Sequence, residues 1–168
     1  LPVGEVKLSN EELKSLLGIV SDEDISRTTL LGTYALKQAI ANSGITKEYM
    51  NDKRLTFISG TTVGGMDVTE RHYHRMLNGE TDSLRYVLQH DCGSNTEAIA
   101  KLCGLKCKST TLSTACSSAL NAIILGVRML LANETDIVFT GGTEALSIFH
   151  LNGFNSLMIL DKEQCRPF

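Results

Sequence analysis

Cys116 is the residue whose position invites chemistry. It stands in Ser113-Thr114-Ala115-Cys116-Ser117-Ser118, at the switch between two compositions. Residues 109–114 are Ser, Thr and Leu, with β-branched Thr110, Thr111 and Thr114 suited to an extended strand, and the residues after Cys116 are helix-forming. A thiol at a helix start meets unpaired N–H groups and the positive end of the helix dipole. Both favour thiolate and offer donors to an oxyanion formed on an attached acyl group. The pattern therefore fits a nucleophile of acyl transfer. Position alone leaves a plain alternative open, a cysteine that fills core space.

Other chemistry-bearing residues give less. His72 and His74 are two apart and point away from each other on a helix, which removes a metal pair, and Arg71 and Arg75 beside them fit a solvated face. His150, among Leu146, Ile148, Phe149 and Leu151, reads as a hydrogen-bonded core or rim residue. Gly60-Thr61-Thr62-Val63-Gly64-Gly65 follows a strand pattern but lacks a Gly-Lys-Ser/Thr ending and dinucleotide spacing, so its glycines suggest close backbone approach rather than phosphate binding. Cys103 and Cys107 could share a helix face, but Gly104 and the strand composition after Lys106 make zinc a weak reading.

These residues need elements to hold them. From Ala119 to Ala132 only Asn121 and Arg128 are polar, seven apart and so on one line of a helix, which predicts a helix that begins at Cys116 and is buried nearly all round. Residues 136–140 form a second strand closing on Gly141 and Gly142, so strand, helix and strand make one parallel crossover unit. Upstream, Ser9-Asn10-Glu11-Glu12 caps a short helix, and residues 25–42 form a longer one with Leu30, Leu31, Tyr34, Ala35, Ile40 and Ala41 as its buried stripe, stopped by Ser43-Gly44. Residues 54–59 are a strand, about 66–77 a helix, 78–83 a polar loop, and 96–102 a helix. The expected fold class is α/β: a mixed, mostly parallel sheet covered by helices on both sides, with the Cys116 helix in the middle.

The chain has 168 residues, of which 42% are hydrophobic and 21% charged, enough for one sizeable core and one domain, 1–168. A net charge of -3 argues against nucleic acid or an anionic membrane as partner, and no apolar run is long enough to span a bilayer. Five cysteines without a C-x-x-C pair, and a Leu1-Pro2-Val3-Gly4 start without a signal pattern, lead to an expectation of reduced thiols in the cytoplasm. With no initiator Met, residues before Leu1 are expected.

Thr114-Ala115-Cys116-Ser117-Ser118-Ala119-Leu120 and Gly141-Gly142-Thr143-Glu144-Ala145 resemble the nucleophile region of β-ketoacyl-acyl-carrier-protein synthases of the elongating type and of polyketide ketosynthases. Further matches are Gly60 to Met66, Gly104-Leu105 and Cys165-Arg166-Pro167-Phe168, while Cys107-Lys108 stands where the family commonly has Gly-Pro. The resemblance implies one half of a thiolase-like fold, without its opening strand. It makes Cys116 the acylated nucleophile, with its own N–H in the oxyanion hole. The implied reaction is decarboxylative condensation of an acyl group with malonyl-acyl-carrier protein in fatty-acid or polyketide synthesis. It needs no metal or organic cofactor.

Acyl carrier protein is the implied partner, and the basic segment around Arg71, His72, His74 and Arg75 is a candidate patch for it. A homodimer paired through the strand before Cys116 is also implied. Two rivals are a thiolase or initiating synthase using coenzyme A thioesters, and a non-catalytic partner subunit like the chain-length factors. The family's two catalytic histidines lie in its second half, and only His150 comes after Cys116 here. Residues 1–168 are therefore expected to be inactive alone.

Overall fold

A computed structural model describes residues 3–166, with the backbone alone for 81–83. Leu1 and Pro2 of the opening segment and Pro167 and Phe168 of the closing motif lie outside the described residues. The elements in chain order are α1 Asn10–Leu17, α2 Arg27–Ser43, α3 Lys47–Asn51, β1 Leu55–Gly60, α4 Met66–Leu77, a 3-10 segment Thr81–His90, α5 Cys92–Leu102, β2 Lys108–Leu112, α6 Ser118–Leu131, β3 Ile137–Gly142 and α7 Ile148–Ser156.

The described strands form one parallel sheet in the order β2-β1-β3, with Phe57 of β1 level with Ser109 of β2 and Phe139 of β3. Strand side chains alternate between faces, so Leu55, Phe57, Ile137 and Phe139 point one way and pack with Leu36 of α2 and Ile99 and Ala100 of α5. Ile58 and Val138 point the other way and meet Ala122, Leu125 and Met129 of α6. Helices thus cover both faces, as the crossover unit requires and the composition of the strands anticipates. No helix among the described residues is long and apolar enough to cross a membrane.

The caps obey local chemistry. Ser9 Oγ accepts from the Glu12 N–H at 3.1 Å and Glu12 Oε2 accepts from the Ser9 N–H at 2.7 Å, a complete capping box for α1. Gly44 ends α2 at φ +69°, where a side chain would be strained. The buried stripe of α2 differs from its apolar pattern. Thr28, Thr29, Gly32 and Thr33 are buried beside Leu30 and Leu36, while Ala35 and Ala41 are exposed. The reason is a polar knot: Asn95 Oδ1 of α5 accepts from the hydroxyls of Ser26 and Thr29, and Asn95 Nδ2 donates to the Gln89 carbonyl at 2.7 Å. Satisfied hydroxyls can be buried, which turns this face of α2 inward. Helix α5 also begins four residues before the expected Thr96, because the Asp91 carboxylate caps the Ser94 N–H at 2.8 Å.

Helix α6 departs furthest from expectation. Only Ser118, Ala122, Gly126 and Met129 are buried; Leu120 is 60% and Leu131 83% exposed, so one face packs on the sheet and the rest of its apolar surface is uncovered by the described residues. Apolar composition all round a helix states that its surface can be buried, and the partner for the outward face is not among these residues.

At the opposite end of the sheet, Arg54 ties β1 to the segment before β3. Its N–H and Nη2 donate to the Asp136 carboxylate at 2.8 and 2.7 Å, and Nη1 donates to the Asn133 carbonyl at 2.7 Å. The Arg54 side chain and backbone hold the Asp136 carboxyl down to about 2. A carboxyl depressed by folding stabilises fully above its ordinary range and loses that contribution as pH falls through the folded value. We therefore expect the wild-type protein to exceed Asp136→Asn in urea midpoint at neutral pH, with the gap closing from about pH 4 towards pH 2. A gap that stays constant through that window rules the linkage out.

Candidate active site

The site is built where β2 turns into α6. Leu112 ends the strand, and Ala115 takes φ +52°, an uncommon conformation for a residue with a Cβ that is strained by roughly 1–2 kcal/mol. Hydrogen bonds offset this strain. Ser118 Oγ donates to the Ala115 carbonyl at 2.7 Å and accepts from the Thr114 N–H at 2.9 Å, and Asn121 Nδ2 donates to Thr114 Oγ1 at 2.8 Å. Ser117, the residue before the helix, donates through Oγ to the Thr114 carbonyl at 2.7 Å.

Cys116 therefore lies in an elbow, two residues before the first residue of α6 rather than at the helix start itself, and it is exposed. A left-handed residue cannot be part of the helix, which is why the helix opens later than its composition indicates. Among the described residues nothing packs Cys116 into a core, because its side chain is exposed. The thiol still sits at the amino end of α6.

Two glycines let the helix come so close. A Cβ on Gly60 would lie 2.6 Å from the Ser118 carbonyl carbon and 2.7 Å from the Ala119 nitrogen; one on Gly142 would lie 2.7 Å from the Ala119 Cβ. Gly60, which opens the glycine-rich turn, thus serves close backbone approach at the site, while Gly64 and Gly65 make their close approaches to the His90 and Gln89 carbonyls. Glu144, just past β3, reaches the same turn: its Oε1 accepts from Thr61 Oγ1 at 2.9 Å and its Oε2 from the Thr62 N–H at 2.6 Å. Thr62 Oγ1 in turn donates to the Ala115 carbonyl at 3.1 Å. Glu144 is visible in its motif without a role, and Thr62 carries no signal beyond its place among glycines.

The remaining candidates are held elsewhere. His72 Nε2 lies 2.7 Å from Asp24 Oδ2, with its ring stacked on Tyr86 at 3.7 Å. Arg71 pairs with Asp24 and Asp67, and Arg75 with Glu80. These three side chains are already paired within the chain. His150 Nδ1 lies 3.1 Å from Ser147 Oγ at the start of α7, and its ring stacks on Phe154.

Three other cysteines are half-buried, and burial pushes their thiols up, that of Cys103 to about 11. Thiolate is the reactive form. Iodoacetamide at neutral pH is expected to modify the exposed Cys116 ahead of these three, with Cys103 last, as read by peptide mapping of a time course. Cys103 reacting as fast as Cys116 would contradict the assignment of reactivity by exposure and helix position.

Residues 6–168 match the family model described as "Beta-ketoacyl synthase, N-terminal domain". The chain is 27% identical over 177 residues to nodulation protein E of Rhizobium meliloti, covering 95% of this chain and 44% of that protein. It is 24% identical over 151 residues to 3-oxoacyl-[acyl-carrier-protein] synthase 2 of Coxiella burnetii, covering 86% of this chain and 36% of that one. Among solved structures, the ishigamide ketosynthase/chain length factor superposes with a TM-score of 0.79 at 20% identity, over 88% of this chain and 38% of that one, a likeness of fold. The chain spans less than half the length of these relatives.

Proposed function

The chain belongs to the β-ketoacyl synthase family, whose N-terminal domain it matches over residues 6–168, and from that premise we propose that Cys116 is the acyl-accepting nucleophile of a condensing enzyme. The observation that carries this reading is an exposed thiol in a strained elbow at the amino end of an apolar helix.

In the proposed first step the Cys116 thiolate attacks the carbonyl carbon of an acyl thioester. A new C–S bond forms, the π pair moves to oxygen, and the Cys116 N–H donates to the resulting oxyanion. Collapse of that intermediate breaks the original C–S bond, and the departing thiolate takes up a proton. In the second step malonyl thioester loses carbon dioxide. Its carbanion attacks the acyl-enzyme carbonyl, a C–C bond forms, and the Cys116 thiolate is released with a 3-oxoacyl product.

Acyl carrier protein is the proposed thioester donor, on the strength of the Coxiella relative's name. The chain-length-factor alternative is weakened by the presence of Cys116. Of the four histidines, His72, His90 and His150 contact Asp24, Thr69 and Ser147 respectively, and His74 lies beside Tyr73 on α4. We propose that residues 1–168 supply the acylation step, and we attribute decarboxylation to groups outside them. The deciding experiment is intact-mass and peptide mapping after incubation with an acyl-carrier protein. An acyl adduct on Cys116 supports the reading, and an adduct on any other residue sinks it.

We also propose a homodimer. Among the described residues strand β2 is one edge of the sheet, and Lys108 and Ser109 on it are exposed, so its outer side could pair with a second copy. Light scattering that returns a monomer at every accessible concentration excludes it.

A further inference from the structure

We infer that Glu144 is a positioning residue for acyl transfer, acting through Thr62 to fix the peptide plane that carries the Cys116 N–H. The inference rests on the reading of Cys116 as the nucleophile. It begins with the Ala115 carbonyl, which accepts from the Ser118 N–H at 3.1 Å, from Ser118 Oγ at 2.7 Å and from Thr62 Oγ1 at 3.1 Å. The first two donors belong to the elbow's own helix and move with it. Thr62 is the donor of the three that comes from outside the β2-elbow-α6 unit, and it pins the elbow to the end of β1.

A peptide unit is planar and trans, so its C=O and N–H point in opposite directions and turning one turns the other. The Ala115 carbonyl and the Cys116 N–H share such a unit, and the chain has no cis peptide bonds among the described residues. Whatever orients the Ala115 carbonyl therefore aims the Cys116 N–H, the group that meets the oxyanion in the proposed reaction. Oxyanion stabilisation depends on donors preset where charge develops, so a rotation of this unit lowers the rate without removing any catalytic group.

Thr62 sits in a glycine-bounded turn, where backbone freedom is high, and needs an anchor of its own. Glu144 supplies it. One carboxylate oxygen takes the Thr62 N–H at 2.6 Å and the other takes Thr61 Oγ1 at 2.9 Å, a two-point clasp that includes a short charge-assisted bond. The Thr61 N–H donates to the Leu112 carbonyl at 3.1 Å and the Thr143 N–H to the Gly60 carbonyl at 3.1 Å. The carboxyl ends of the three strands are thereby laced together, with the elbow as the last knot. Ligand sites of parallel α/β sheets lie at this end.

The test uses the protein at its full encoded length and a small thioester, hexanoyl-N-acetylcysteamine, so that carrier recognition does not enter. Acylation of Cys116 builds an oxyanion, whereas alkylation by iodoacetamide does not, and the two rates separate aiming of the N–H from general damage. Glu144→Ala and Thr62→Val are expected to lower the acylation rate at saturating thioester by about tenfold or more, with the half-saturating concentration and the alkylation rate unchanged. Glu144→Gln is expected to stay close to wild type, because its amide can accept the Thr62 N–H and donate to Thr61 Oγ1. The double variant Glu144→Ala/Thr62→Val should fall no further than Thr62→Val, since both remove one connection. Unchanged acylation in Glu144→Ala overturns the inference, as does loss in Glu144→Gln equal to that in Glu144→Ala, or alkylation that falls in step with acylation. Wild-type Cys116 that alkylates but never acylates instead defeats the nucleophile reading, and this inference with it.

Discussion

Replacing Cys116 by alanine is expected to abolish formation of the acyl-enzyme, with a fall of at least about a thousandfold in acyl transfer, while leaving the melting temperature of the protein unchanged. The two halves of this expectation come from the same geometry. Loss of a nucleophile removes the covalent path altogether, and in enzymes that depend on one the loss reaches about a millionfold. Cys116 is exposed, and the bonds that hold its elbow come from Thr62, Ser117, Ser118 and Asn121, so alanine takes away the thiol without opening a cavity. Cys116→Ser is the sharper comparison. It keeps the shape but presents a hydroxyl that is hardly ionised at neutral pH, and no base contacts the elbow to deprotonate it among the described residues. Mass spectrometry of each variant after incubation with an acyl thioester, beside a melting curve, decides the matter. An acyl adduct persisting at wild-type level on Cys116→Ala would place the nucleophile elsewhere.

The second large effect is expected at Gly60. An added Cβ would lie 2.6 Å from the Ser118 carbonyl carbon, 2.7 Å from the Ala119 nitrogen and 2.8 Å from the Ser118 oxygen, all backbone atoms of α6. No rotamer change relieves such a contact, so the helix start must lift from the sheet. Overpacking of this kind costs about 1–3 kcal/mol and occasionally more. The lift also carries the elbow with it, and a displacement of about 1 Å at a reacting group can lower a rate on the order of a hundredfold. Gly60→Ala is therefore expected to be both less stable in urea and much slower in acylation. Gly141→Ala is the control, because a Cβ there meets no atom within 4 Å. Equal urea midpoints for the two variants would show that the close approach of β1 and α6 is not what Gly60 provides.

Both variants address the elbow, and the elbow is where sequence and structure part company. The switch from Ser/Thr to helix formers locates a turn near Cys116, since β propensity and helix propensity act within a few residues. It cannot locate the left-handed Ala115, because alanine is a good helix former and nothing in its type announces φ +52°. The helix therefore opens at Ser118, and Cys116 gains an exposed position that its composition does not indicate. The inward face of α2 misleads for a related reason. Thr28 and Thr29 are buried because acceptors far along the chain take their hydroxyls, the Gly64 carbonyl that of Thr28 and Asn95 Oδ1 that of Thr29.

What the sequence determined by itself is everything that rests on neighbours along the chain. The polar cap of α1, the glycine stop of α2, strand β1 and the strand-helix-strand order around Cys116 all come from periodicity and caps that span at most a few residues. The tertiary structure alone decided how the site is assembled. Thr62 reaches Ala115 across 53 positions and Glu144 across 82, contacts that exist because parallel pairing brings the carboxyl ends of β2, β1 and β3 together. Parallel pairing joins residues far apart in sequence, and no local propensity records which side chains will meet there.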